Sequence, residues 1–387
     1  MSRASRVTVL ATVIVAVLAS GLTGCSDIDH FYDTPGGLQD GRAGTLLRSG
    51  SIFLPGAGQQ GWRILYQSTG LDGRPIAVSG LFVRPSGPAP AGGFPLISYA
   101  HPTVGLADAC APSKRNDIGV LTARAVAAGF AVALTDYQGL GTAGVHPYLM
   151  GESEGRSVLD AARAVRTLAE ADVGDQVGIW GYSQGGHAAM FAAQIAPTYA
   201  PELQIVGTVS VAGPASDHWV TDVLNRPNLY ALGVMAAVGW SANDSTLQAS
   251  DVLGPVGLDA TPRLLGTDVD RPEVCSDLGG IGIGHPASEL VAAQPETLPP
   301  WKAALERSAV GAAAPTTPLL LFSGTTDDLV PPSEAEFARR SYCARDATIE
   351  LRSIPDANHL TVMSGALDPG LSWMTGRLRG TAAATSC

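Results

Sequence analysis

A mostly parallel β-sheet covered on both faces by helices, with one inserted helical segment, is the α/β architecture that this sequence predicts. Three observations lead there. Apolar runs at 94–100, 131–135, 176–180, 205–211, 318–322 and 349–354 have the length and texture of strands buried on both faces. Helical patterns separate most of them, as in 157–171, where Val158, Ala161, Ala162, Val165 and Leu168 fall on one stripe. Such alternation requires crossover connections, hence parallel strands. The third observation is the interval 213–314, too long for a bare loop and helical in pattern at 228–240 and 287–308, which predicts an inserted cap.

Composition sets the outer bounds. The chain has 387 residues, 45% of them hydrophobic and 15% charged, enough to bury a large core. Gly 46 and Pro 27 occur without a G-x-y period and indicate many turns. The net charge is −11 and no run of basic residues breaks it, which argues against a nucleic-acid partner.

The elements follow in chain order. Arg3 and Arg6 precede an apolar stretch at 7–22, and Leu22-Thr23-Gly24-Cys25 follows at once. That segment resembles a bacterial lipobox. The resemblance implies a signal peptide at 1–24, a diacylglyceryl group on Cys25, and an exported protein held at the extracytoplasmic face of the cell membrane. Residues 25–43 are polar and Gly-rich and read as a flexible tether, with the folded core at 44–212 and 315–387 and the cap at 213–314. Runs at 61–68 and 76–83, joined by Leu71-Asp72-Gly73-Arg74-Pro75, predict an antiparallel hairpin. Lipidation of Cys25 leaves Cys110, Cys275, Cys343 and Cys387, an even set that allows two disulfides in an oxidising compartment. Without a C-x-x-C or H-E-x-x-H pattern, no metal site and no cofactor is expected.

The chemistry centres on Gly181-Tyr182-Ser183-Gln184-Gly185-Gly186, a G-x-S-x-G that leaves an apolar strand and enters a helix-prone run. Gly151-Glu152-Ser153-Glu154-Gly155 fits the same pattern, but no strand leads into it. Its two carboxylates would also oppose the oxyanion that serine attack creates. A serine hydroxyl needs a base, and the base needs an acid to fix its tautomer. Asp327, on the loop after the run at 318–322, is the expected acid, with Asp328 as its competitor. His359, after the run at 349–354, is the expected base, and the order Ser, Asp, His is complete. His187 is expected on a helix face behind the nucleophile. For a tetrahedral intermediate, one backbone donor is expected from Gln184 and a second from Thr103, because Pro102 has no N–H to offer.

These motifs, with Val330-Pro331, Asn358-His359-Leu360, Cys110-Ala111-Pro112-Ser113 and Asp136-Tyr137-Gln138-Gly139, together resemble the secretory lipase family over about 44–380. The resemblance implies an α/β-hydrolase fold with a helical cap and a metal-free serine mechanism on fatty-acid esters. Ser183, Asp327 and His359 match the family's triad, and disulfides Cys110 to Cys275 and Cys343 to Cys387 are implied. Family members are commonly freely secreted, whereas the lipobox favours a cell-envelope or scavenging role over bulk-fat digestion. An acyltransferase or peptidase would share the triad, and a degenerate hydrolase would serve only as a binding lipoprotein. The apolar residues Leu229, Leu232, Val234, Met235, Val238 and Trp240 are expected to line an acyl site.

Overall fold

The computed structural model describes residues 30–55, 57–268, 275 and 280–387. The expected signal peptide and Cys25 lie outside the described residues. Among the described residues the strands are β1 (Leu46–Ile52), β2 (Gln59–Thr69), β3 (Pro75–Pro85), β4 (Phe94–Ala100), β5 (Ala131–Thr135), β6 (Val173–Tyr182), β7 (Gln204–Val211), β8 (Leu319–Gly324) and β9 (Ile349–Ile354). They form one sheet in the order β1-β2-β3-β5-β4-β6-β7-β8-β9. The hairpin β2–β3 and the β1–β2 and β3–β5 pairs are antiparallel, and every pair from β5 through β9 is parallel. This is an α/β-hydrolase sheet. Among the described residues the helices longer than five residues are α1 (Gly119–Ala127), α2 (Gly151–Val165), α3 (Gln184–Tyr199), α4 (Trp219–Leu224), α5 (Tyr230–Asn243), α6 (Pro255–Leu264), α7 (Pro299–Ser308), α8 (Pro332–Cys343) and α9 (His359–Leu378).

Successive residues of a strand face opposite ways, so the apolar runs feed two cores at once. Ile179 packs among residues of α2 and α3, and its neighbour Trp180 packs among residues of α1 and α9. The chain runs from β4 to β5 on one side and then returns past β4 to β6 on the other. Ligand sites of open α/β sheets form at such a reversal, beyond the carboxyl ends of the strands.

Three local differences from the sequence reading have physical causes. The helix expected at 157–171 begins at Gly151 and ends at Val165. Two glycines in its first turns let α3 approach: a Cβ on Gly155 would meet the backbone nitrogen of Ala192 at 2.9 Å, and one on Gly151 would meet the Phe191 ring at 2.1 Å. Leu168 and Ala171 pack into the same core from the irregular chain beyond the helix. Secondly, the segment read as a flexible tether is held to the core at Tyr32 and at Gln39. Tyr32 is buried, its hydroxyl pairs with Ser113 Oγ at 3.0 Å, and the Lys114 ammonium lies 4.7 Å from its ring. Further along, the Gln39 N–H donates to Gln67 Oε1 at 3.1 Å, and Gln67 Nε2 donates back to the Gln39 carbonyl at 2.6 Å. Thirdly, α5 is buried nearly all round, so Val234, Met235, Val238 and Trp240 form core among the helices between β7 and β8.

Both disulfides of the family resemblance are present, Cys110 to Cys275 and Cys343 to Cys387. Asp136, at the end of β5, is fully buried and accepts from Ser79 Oγ at 2.6 Å, from the Ser113 N–H at 3.0 Å and from Ser113 Oγ. Burial pushes its carboxyl up to about 6, against the pull of the serine hydrogen bonds and the Arg63 charge. The protonated form is then favoured by folding. Its stabilisation is complete below about pH 4, the unfolded value, and is lost as pH rises through about 6. Unfolding free energies of wild type and Asp136→Asn, measured from pH 4 to 7, should diverge by about 3 kcal/mol across that window, the variant lacking the decline. Parallel curves would show that this carboxyl titrates normally.

Candidate active site

The strand-turn-helix elbow expected at Ser183 is visible in the backbone. Ser183 joins β6 to α3 with φ 57° and ψ −122°, a conformation that costs an ordinary residue about 1–3 kcal/mol. Close approach on both sides permits it: a Cβ on Gly181 would lie 1.7 Å from the Gly185 carbonyl oxygen, and one on Gly185 would lie 1.9 Å from that of Ala100. Neither glycine tolerates a side chain. The Ser183 hydroxyl does not cap α3. It pairs with His359 Nε2 at 2.9 Å.

His359 is the first residue of α9, and its place is set by the residue before it. Asn358 caps the helix, its side chain accepting from the N–H groups of Leu360 at 3.1 Å and Thr361 at 3.0 Å, while its own N–H donates to Thr361 Oγ1 at 2.9 Å. On the far side of the ring, His359 Nδ1 lies 2.8 Å from Asp327 Oδ2. The other oxygen, Oδ1, accepts from the N–H groups of Leu329 at 3.0 Å and Val330 at 2.9 Å. Asp327 is buried, so the carboxylate is held at both oxygens. Asp328 points away; its side chain is 82% exposed and meets Arg226 only at 4.0 Å.

Tyr182, the residue before the elbow serine, carries no sequence signal for the role its position gives it. Its ring stacks on His359 at 5.3 Å between centroids, and its hydroxyl donates to the His359 carbonyl at 2.7 Å. Burial, with the nearby Asp327 charge, pushes that hydroxyl up to about 12, so it remains a donor near neutrality.

Ser183 and His359 open into a cavity of about 360 Å³. Thr103, Tyr148 and Gln184 form part of its wall, with Trp219, Leu229, Leu232 and Leu360 supplying apolar surface. Thr103 Oγ1 pairs with the Tyr148 hydroxyl at 2.8 Å. Gln184 begins α3, where an N–H has no partner within the helix. Of the six residues expected to line an acyl site, Leu229 and Leu232 border this cavity; the other four lie in the helical core. Ser153, of the second G-x-S-x-G, is buried in α2 and its hydroxyl donates to Gln138 Oε1 at 2.6 Å. Among the described residues no cluster of three His, Cys, Asp or Glu side chains is arranged to hold a metal ion.

A family profile described as secretory lipase matches residues 116–237 and 300–386, together more than half of the chain. The chain belongs to the secretory lipase family. Similar proteins include one from Mycobacterium tuberculosis named a probable inactive lipase, 27% identical over 386 residues and covering 91% of this chain and 82% of that protein. A secreted triacylglycerol lipase from Malassezia globosa is 26% identical over 394 residues, covering 93% of this chain and 82% of its own length. Among solved structures, lipase A of Candida antarctica in its closed state superposes with a TM-score of 0.79 at 23% identity, covering 92% of this chain and 87% of that one. Family membership and these relatives support a lipase or esterase hydrolase, and they point to export.

Proposed function

We propose that this secretory lipase family member is a serine hydrolase that cleaves fatty-acyl carboxylic esters through an acyl-enzyme on Ser183. The observation that carries the reading is the unbroken relay from Ser183 Oγ through the two ring nitrogens of His359 to Asp327 Oδ2, at 2.9 and 2.8 Å. His359 Nε2 takes the hydroxyl proton as Oγ attacks the ester carbonyl, and later returns it to the departing alkoxide. Asp327 holds the Nδ1–H tautomer and stabilises the imidazolium that forms. The backbone N–H groups of Gln184 and Thr103 receive the oxyanion. Water then repeats the sequence to release the acid. That every triad position holds a competent residue supports turnover in this chain, whatever the state of the Mycobacterium tuberculosis relative. The lipobox supports a lipid anchor on Cys25 and thus an envelope location, with a fatty-acyl ester as substrate.

Chain length tests the acyl part of this reading. Each methylene buried against Leu229 and Leu232 should raise kcat/KM by up to about fourfold until the cavity is full, since a buried CH₂ contributes about 0.8 kcal/mol. A plot of log kcat/KM against acyl length should rise and then level or fall. Leu232→Trp should move that maximum to shorter chains while leaving acetate esters near wild type. Met235→Trp should instead lower Tm without shifting the maximum, because Met235 has no exposed surface. Activity that peaks on acetate and declines steadily would make the protein a short-chain esterase.

A further inference from the structure

Glu154 belongs to the G-x-S-x-G that is not the elbow, and it is fully buried beneath the true one. Its Oε1 accepts from Gln184 Nε2 at 2.7 Å and from the Leu149 N–H at 3.0 Å; its Oε2 lies 2.9 Å from His187 Nδ1. The opposite ring nitrogen, His187 Nε2, lies 2.8 Å from the Ser308 carbonyl oxygen. Both neighbours of His187 are acceptors. A neutral imidazole carries a single N–H, so beside a carboxylate one of these contacts would set lone pair against lone pair; an imidazolium satisfies both, and a neutral ring does so only if Glu154 itself carries the proton. Ser308 Oγ then donates to the Leu149 carbonyl, which closes a ring of hydrogen bonds from α2 through α3 and the end of α7 back to the Leu149 loop.

The other histidine here is neutral. His146 Nδ1 lies 2.9 Å from the Gln138 carbonyl and its Nε2 lies 2.7 Å from Gln184 Nε2, which makes it a donor at one nitrogen and an acceptor at the other. Burial pushes it down to about 4, in keeping with that arrangement. Of these two rings, His187 is the one whose contacts suit a cation beside Glu154.

This ring touches both sides of the proposed oxyanion site. Gln184 is held directly. Thr103 is reached through Leu149, which sits at φ 60° and whose neighbour Tyr148 bonds Thr103 Oγ1. An unpaired carboxylate bonded to the Gln184 side chain would oppose an oxyanion developing at the Gln184 N–H, and pairing with His187 lowers that penalty. Resting on the ester-hydrolase reading above, we infer that Glu154 is a positioning residue that fixes the Gln184 and Thr103 donors, with His187 as its buried counter-cation.

Two readouts test this. In ¹⁵N NMR of the whole protein near pH 7.5, with His187 assigned by its loss in His187→Gln, both His187 ring nitrogens should be protonated. In Glu154→Gln only one should be. On a soluble short-chain ester, Glu154→Ala should lower kcat about 100-fold with KM within about twofold, as expected when an oxyanion donor is misplaced. Glu154→Gln still accepts at Oε1 and donates to a neutral His187, so it should recover at least about tenfold of that loss. Gln184→Met breaks the same link from the other end and should lose kcat similarly while His187 stays doubly protonated; this variant and Glu154→Gln carry the test if Glu154→Ala does not fold. A singly protonated His187 in wild type, an unchanged kcat in Glu154→Ala, a loss confined to KM, or Glu154→Gln no better than Glu154→Ala each overturns the inference. A wild type with doubly protonated His187 but no ester hydrolysis overturns the ester-hydrolase reading, and with it the positioning role, while the ion pair stands.

Discussion

Ser183→Ala should lower kcat for ester hydrolysis about 10⁶-fold, down to what binding and the oxyanion donors alone provide. Removing Oγ removes the atom that the proposed mechanism acylates, and no neighbouring hydroxyl replaces it. The Tyr148 and Thr103 hydroxyls share the cavity, but they bond each other, and neither has a hydrogen bond to His359. The change is small sterically, so Tm should stay near wild type, and relief of the φ 57° strain is not expected because alanine is no freer there than serine. Ser153→Ala is the control. It removes one hydrogen bond to Gln138 and should cost stability rather than turnover. Initial rates on a chromogenic ester, with circular dichroism for folding, decide it. Comparable losses in the two variants with folding intact would move the nucleophile away from the elbow.

Asp327→Asn should cost about 10⁴-fold in kcat. Val330 and Leu329 keep one oxygen of residue 327 as their acceptor, which turns the new amide group toward His359 Nδ1. That group donates, so the ring must hold its proton on Nε2, where it can no longer accept from Ser183. The effect is one of tautomer, with geometry preserved, and binding of substrate should be little changed. Asp328→Asn should stay within about tenfold of wild type, since its carboxylate is exposed and meets only Arg226. The reverse ranking would transfer the acid to Asp328.

Local chemistry was legible in the sequence, and long-range contact was not. The elbow declares itself because strand, tight Gly-flanked turn and helix are contiguous, and each is a short-range property of residues 176–195. Asp327 and His359 are legible for the same reason, each following an apolar strand into a loop. The roles of Tyr182 and Glu154 have no such signature. Tyr182 reaches His359 across 177 positions and Glu154 reaches Gln184 across 30, and only the folded sheet brings them together. In α5 the apolar residues are legible as a set, but which of them face a cavity depends on the helices packed around them. Met235 and Leu229 look alike in sequence, and one is core while the other borders the site. Tyr32 shows the converse: a polar, Gly-rich stretch suggested free chain, yet the Tyr32 ring against Lys114 and Ser113 and the Gln39–Gln67 hydrogen bonds hold it to the core.

The central claim is that Ser183 is a nucleophile activated by the fold, and covalent trapping tests it most directly. Intact-mass spectrometry after treatment with an alkyl fluorophosphonate, followed by peptide mapping, should find one adduct per chain on the peptide bearing Ser183. The adduct should be absent from Ser183→Ala and from wild type denatured before treatment. Failure of the folded protein to label, or labelling at Ser153 or any residue other than Ser183, would contradict the account.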